Sequence, residues 1–306
     1  MQPLKQQGVA LITVILIVAL ATILATAMIS RQQLEIHRST NLFNYEQAYQ
    51  YVLGAEDWAG LILKRDASDN KTDSLTDSWA TVLPPLPLEG GQMSGKITDL
   101  QACFNLNNLL QDSGSQKRYY TRFRKLLRLL ELDESIADAL RDWLDSNLET
   151  GFNGAEDNYY LGLEPPYRSA DQAMQDSSEL LLVKGVDYKS YQKLRPFVCA
   201  LSAGTSLNLN TAPAEVIATL AGLTLAEAEG IIEDRNRQAF GEVKDFLQHP
   251  LLKNKNIDKQ GLSVSSRYFQ LNSEVQIGRI EVGFTSVLLR LDNGEIRLVK
   301  RSRSVL

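Results

Sequence analysis

The sequence predicts an α+β protein in which a long N-terminal helix packs on an antiparallel sheet and a large all-α domain interrupts that sheet. Three observations carry the prediction. An uncharged apolar run near the N-terminus continues into helical periodicity, the middle of the chain repeats apolar residues at helical spacing, and the final stretch alternates as consecutive strands.

The chain opens MQPLKQQG, followed by the apolar run Val9 to Ile29. As a helix this run is about 31 Å long, which matches a bilayer hydrocarbon core. A removable secretory signal usually carries a shorter apolar region of roughly 7 to 15 residues. A rival reading stays open, because Ala25-Thr26-Ala27 has the small-x-small form of a signal-peptidase site, and a cut there releases a chain beginning near Met28. A third places a cut after Gly8, so that a basic leader leaves and Val9 becomes the first residue. Basic residues do not set orientation, since Lys5 and the terminal amine are matched by Arg31 and Arg38.

Beyond the anchor, Leu42, Tyr45, Tyr49, Val52, Ala59 and Leu63 recur at helical spacing. Anchor and first soluble helix therefore form one rod of about fifty residues. DASDNKTDSLTD, Asp66 to Asp77, turns polar, and Pro84, Pro85, Pro87, Gly90 and Gly91 forbid helix. Gln92 to Leu106 alternates as a strand entering a sheet. From about Asn105 to Phe197 the pattern is helical. YYTRFRKLLRLLEL places Tyr119, Phe123, Leu126 and Leu130 on one face, with Arg118, Arg122, Lys125 and Arg128 around the others. Such a helix can meet phosphate or anionic lipid, or present a solvated face over a core. ESIADALRDWLD is a further amphipathic helix, and SSELLLVKGVDYKSYQKLRPFV reads as two short helices about a Gly185 turn. From Leu262 the chain reads as strands, with Asn293-Gly294 a hairpin signal. The boundaries that follow are a leader at 1–8, a transmembrane helix at 9–29, the rest of the rod with the first strands at 30–104, a helical insertion at 105–205, and a helical return with C-terminal strands at 206–306.

Composition narrows the function. The 306 residues, 44% of them hydrophobic, suffice for one or two cored domains, and a net charge of -5 argues against nucleic acid. Four potential zinc ligands, Cys103, Cys199, His37 and His249, are scattered without a CxxC, so a zinc site is not supported. In an oxidising compartment Cys103 and Cys199 can pair, and otherwise they are two buried thiols. No nucleophile elbow or P-loop occurs, so the chain does not read as an enzyme.

The sharpest local feature is DWLDSNLETGFNGAED, Asp142 to Asp157. With Asp145 as position one, Asp145, Asn147, Glu149, Asn153 and Glu156 fall at one, three, five, nine and twelve, the ligand spacing of a calcium loop. Thr150 stands where an EF-hand needs glycine, and Gly151 comes one residue late, so the loop is calcium-site-like. The expected ligands are Asp145, Asn147, Glu156 and Asp157, with Asp142 and Glu149 beside them. The alternative is a polar surface loop. LNLNTAPAEVIATLAGLT, Leu207 to Thr224, resembles the start of a helix-hairpin-helix DNA-binding module, and FNLNNLL and ELLLVKGV echo it. Its hairpin lacks the second glycine, and from Leu207 to Leu247 seven acidic residues face three basic ones, which repels phosphate.

Lys5 and Gly8 before the apolar run resemble the class III leader of type IV pilins and pseudopilins, which a prepilin peptidase cuts after glycine before methylating the new amine at Val9. Those families usually carry Glu at the fifth mature position, and here it is Thr13. A carboxylate in the bilayer persists only with a purpose, which in the family is pairing with the amine of the subunit ahead. Together with DWLD, GAED, SSELLLVKGV and NLNTAPAEV, these features resemble the K-type minor pseudopilins of the type II secretion system. The resemblance implies a pilin-like core with a helical insertion, calcium in that insertion, and a place in the inner membrane with the soluble part in the periplasm. It also implies I- and J-type minor pseudopilins as partners at a filament tip, followed by H-type and major pseudopilins, with no nucleic acid. The runner-up is a membrane-anchored helix-hairpin-helix DNA-binding or uptake module.

Overall fold

The computed structural model describes residues 7–82, 84–111, 113–220 and 222–304. Lys5 lies outside the described residues. Helix α1, Gln7–Asp69, is continuous over 63 residues, about 95 Å at the standard rise. From Val9 to Leu42 every residue is exposed, whatever face it occupies. Farther on, Ala48, Val52, Ala55, Ala59 and Leu63 are buried at intervals of three and four, which gives one apolar stripe. Three of the five are alanines, so the helix axis can approach the sheet closely. The stripe starts later than the periodicity suggests, because Leu42 is 62% exposed and Tyr45 and Tyr49 are only half-buried.

Strands β1, Leu86–Leu88, and β2, Gly91–Asp99, form a hairpin after α1. The strand expected to reach Leu106 stops at Asp99, whose carboxylate accepts the Gln101 N–H at 2.7 Å and winds Leu100–Ala102 into a 3-10 turn. Such side-chain bonds to nearby backbone compete with strand pairing. A helical body follows, comprising β3 (Phe104–Asn105), α2 (Ser113–Leu129), α3 (Ile136–Leu144), α4 (Asp157–Tyr160), α5 (Tyr188–Leu194) and β4 (Val198–Cys199). It continues through β5 (Leu207–Asn208), α6 (Ala214–Ala218), α7 (Leu225–Arg237), α8 (Val243–Leu247) and β6 (Leu262–Ser263). Its buried core extends without a break from Phe104 to Leu262, so the body runs past residue 205.

The chain then returns to the sheet through β7 (Tyr268–Ile277), β8 (Ile280–Arg290) and β9 (Ile296–Ser304). The sheet order is β1-β2-β7-β8-β9, antiparallel throughout, and β7 takes the whole length of β2, from Gly91 opposite Ile277 to Asp99 opposite Phe269. Phe269, Leu271, Ser273, Val275 and Ile277 alternate into the core on β7, the period-two pattern of a strand with one covered face. Asn293-Gly294 closes the β8–β9 hairpin with Gly294 at φ +79°. At the outer strand, Arg301 donates to both carboxylate oxygens of buried Glu56 and to the Tyr49 hydroxyl, tying β9 to α1.

The helical body is built twice on one plan. In the first half β3 pairs parallel to β4, and in the second β5 pairs parallel to β6. Each opening strand runs into Asn-Leu-Asn. Asn105 and Asn208 accept the N–H two residues on, at 3.2 and 3.0 Å. Asn107 then exchanges two bonds with the Met174 backbone, at 2.8 and 2.9 Å, and Asn210 does the same with Phe240 at 2.9 Å each way. A buried amide side chain with both of its groups satisfied replaces a strand partner where the chain must turn.

Candidate functional site

The acidic loop follows α3, whose amphipathic spacing buries Ile136, Ala137, Leu140, Trp143 and Leu144 and so carries Asp142 inward. Asp142 is 1% exposed. Its Oδ2 accepts the Gly151 N–H at 2.7 Å, and Arg141 stands 3.4 Å from Oδ1. A Cβ at Gly154 would fall 1.7 Å from Asp142 Oδ2, so only glycine allows the loop to close over this carboxylate. The late glycines thus serve a close approach.

The expected ligands divide into two groups. Asp145 Oδ1 accepts the Asn147 N–H at 3.1 Å, and Asn147 Oδ1 accepts the Glu149 N–H at 2.8 Å. Asn147 and Glu149 are exposed, and Asn153 donates to Asp138 at 3.2 Å. Asp157 accepts the Ser169 N–H at 3.0 Å and its hydroxyl at 3.1 Å, with Arg168 at 3.6 Å. Asp142, Asp145 and Glu156 instead form one electrostatic cluster, joined by Asp171.

In that cluster Glu156 is 2% exposed. Its Oε2 receives the Ser169 hydroxyl at 3.3 Å, while Oε1 is buried without a hydrogen-bond partner. Burial first, then the charge of Asp142, pushes its carboxyl up to about 7, with Asp171 and Asp145 adding to the effect. Asp145 is raised by burial and by Asp142 and Asp171, against the Asn147 N–H bond and Arg141. Asp171 sits at φ +49° and also has a buried, unpartnered oxygen. Asp171 escaped sequence reasoning because SADQAM, in which it sits, keeps no spacing relation to the loop. Orphaned carboxylate oxygens in an all-oxygen donor set fit a hard cation.

The other candidate chemistries are answered by contacts. On α2, Arg118 meets Asp258 at 3.0 Å, Arg128 and Arg124 meet Glu134 at 2.7 Å each, and Arg122 is buried over the Tyr119 ring. Lys125 donates to the carbonyls of Leu220 and Leu223. These contacts tie the named α2 cations to carboxylates, a ring and carbonyls of the body itself. In the hairpin between α6 and α7, Gly222 takes φ +73°. The Thr224 N–H at the start of α7 donates to Glu227 at 2.8 Å, and Lys255 donates to Glu227 at 2.9 Å. These bonds hold the Glu227 carboxyl at about 2, well below the carboxylate range. An internal carboxylate therefore occupies a position that a phosphate-binding hairpin offers to its ligand.

On α1, the Thr13 hydroxyl donates back to Val9 O at 3.1 Å and Ala10 O at 2.9 Å. Its polar group is satisfied within its own helix. Gly8 and Val9 lie in the first turns of that helix. Cys103 and Cys199 are joined by a disulfide, with Cα atoms 5.8 Å apart across a separation of 96 residues, beside the β3–β4 pair.

Comparison with known proteins places these features in context. Two profiles described as type II secretion system protein K match residues 102–203 and 207–265, the two halves of the helical body. Protein K of Pseudomonas aeruginosa is 38% identical over 97% of this chain and 92% of its own length. The Aeromonas hydrophila protein K is 34% identical over 97% of both chains. In a crystal structure of the GspK-GspI-GspJ complex from the type 2 secretion system of enterotoxigenic Escherichia coli, the matching chain has a TM-score of 0.79 at 29% identity, covering 88% of this chain and 100% of its own.

Proposed function

The chain belongs to the type II secretion system protein K family of minor pseudopilins, and from that premise we propose that it sits at the tip of the pseudopilus and initiates or caps filament assembly. The observation that carries the proposal is the N-terminal half of α1. Over Val9 to Leu42 it is exposed on every face, with large apolar residues from Val9 to Ile29. Such a surface requires lipid first and neighbouring helices afterwards. Thr13, already bonded within its own helix, demands no counter-charge from a subunit ahead. A subunit with nobody ahead of it suits the tip. The body inserted between β2 and β7 also suits a single copy better than a repeat along a thin filament.

Its partners in this reading are I- and J-type minor pseudopilins, the proteins present with the K chain in the related complex, followed by H-type and major pseudopilins. Prepilin peptidase cuts after Gly8 and the new amine at Val9 is methylated, so the mature chain keeps a bilayer-length helix in the inner membrane. Calcium binds in the helical body through Asp142, Asp145 and Glu156, with Asp171 as a further carboxylate and Asn147, Glu149 and Asp157 at the margin. The ion supplies positive charge to carboxylates that otherwise repel one another in a buried setting. The DNA-binding alternative is disfavoured by the occupied hairpin N–H and the acidic surroundings.

The test is coexpression of the full chain with I- and J-type partners, followed by detergent extraction, sizing chromatography and mass spectrometry of the N-terminus. A heteromeric complex whose chain begins at Val9 is the expected result. A chain beginning at Met28, or a monomer that ignores both partners, overturns the reading.

A further inference from the structure

The polar segment after α1, read in the sequence only as a break, holds a second and tighter acidic cluster. Asp66, at the end of α1, Asp73 and Asp77 each bring one carboxylate oxygen within 4.8 Å of the others, the one grouping of this kind among the described residues. Asp66 is 5% exposed and Asp73 1%. Asp66 Oδ2 and Asp73 Oδ1 are buried with no hydrogen-bond partner.

The remaining oxygens are well used, which makes the two orphans informative. Asp73 Oδ2 accepts the Ser266 N–H at 2.7 Å and a bond from Arg290. Asp66 Oδ1 accepts from Asn70 at 3.3 Å. Asp77 accepts the Ser74 N–H at 2.7 Å and the Ser74 hydroxyl at 3.0 Å. Arg290 stands 3.8 Å from Asp66 Oδ2, beyond a hydrogen bond. Three carboxylates against one guanidinium leave two negative charges uncompensated. Burial pushes the Asp66 carboxyl up to about 6, with the charges of Asp77 and Asp73 adding to it. The competing account is that Arg290 and a proton on Asp66 complete the neutralisation.

We propose that Asp66, Asp73 and Asp77 form a cation site for a hard divalent ion of the calcium class, independent of the Asp142 loop. The donors are oxygen alone, which excludes soft metals and suits an ion taking six to eight oxygens. The location gives it a purpose. Asp73 N donates to Val264 O at 2.9 Å, and Asn208 donates to Asp73 O at 3.0 Å. Asn208 also donates to Asp99 at the end of β2, which accepts from Thr211 and Ser266 as well. An ion here pins the end of α1, the sheet and the second half of the helical body at a single seam.

The experiment uses the full chain in detergent with calcium chloride, against magnesium and sodium chloride. Equilibrium dialysis with radioactive calcium counts ions on a Glu156→Gln background that weakens the helical-body loop. The background should still bind calcium, and adding Asp66→Asn with Asp77→Asn should weaken that binding at least about tenfold. Asp66→Asn alone keeps the side-chain shape and removes the buried charge. In chelator it should melt at or above the parent temperature, and added calcium should raise it less than the parent. Three results overturn the proposal: a background that binds no calcium at millimolar concentration, a double variant with unchanged affinity and stoichiometry, or Asp66→Asn melting below the parent in chelator. The last would show that Asp66 serves Arg290 as a plain ion pair.

Discussion

Replacing Asn107 with alanine should be among the most damaging single changes in the helical body. The side chain is 2% exposed, donates to Met174 O at 2.9 Å and Leu201 O at 2.8 Å, and accepts the Met174 N–H at 2.8 Å. Truncation therefore leaves three backbone groups without partners, beside residues that are themselves buried. Each orphaned buried group costs about 1–3 kcal/mol. A water entering the space of the lost amide offsets part of the sum, so the net loss should be about 3–5 kcal/mol. Asn210→Ala should cost a similar amount, because it exchanges the same pair of bonds with Phe240. Asn236→Ala, on the exposed face of α7, should stay within roughly 0.5 kcal/mol. The assay is urea unfolding of the full chain in detergent, at fixed calcium concentration, followed by the fluorescence of Trp143, which is buried in the same core. The midpoint should fall with little change in slope. A loss below about 1 kcal/mol at Asn107 would refute the reasoning, since the unpartnered groups would then carry no penalty.

Without calcium, stability should depend on pH through Glu156. Its carboxyl is raised from 4.5 to about 7 in the folded chain, so the native state binds the extra proton between those values. The calcium-free protein should therefore lose up to roughly 3 kcal/mol as pH rises through that window. Melting curves in chelator should show this slope in the parent and a shallower one in Glu156→Gln, where the raised Asp66 carboxyl still contributes at lower pH. Calcium should raise the melting temperature of the parent, by an amount equivalent to roughly 2.7 kcal/mol at hundredfold saturation of one site, and Asp145→Ala with Glu156→Ala should cut the shift to the part that the Asp66 cluster supplies. Gly154→Ala should weaken the same response, since its Cβ falls 1.7 Å from Asp142 Oδ2, and calcium titration reads this directly. Removing the Cys103–Cys199 bond by paired alanines should cost roughly 3–5 kcal/mol for a loop of this length, measured by chemical unfolding without reductant.

Much of this protein was legible in one dimension. The apolar run Val9 to Ile29, the period-two strands after Leu262 and the Asn293-Gly294 turn declare themselves because helix and strand geometry repeat over a few residues. The acidic character of Asp142 to Asp157 was visible for the same reason. Which carboxylates actually converge was not. Asp171 joins Asp142 and Glu156 only because its segment folds back against Trp143, where the Asp171 N–H donates to Trp143 O at 3.1 Å. Asn147 and Glu149 fit a ligand spacing, yet the loop spends Asp145 and Asn147 oxygens on its own backbone. Local composition likewise marked Asp66 to Asp77 as a break in the helix, and tertiary closure onto Ser266 and Arg290 turned it into a buried seam. Periodicity is set by backbone dihedrals that neighbouring side chains bias directly. A buried charge cluster depends on contacts across a hundred residues or more, chosen by the packing of the whole core, and no short spacing in the chain can encode which of its carboxylates will be left without water.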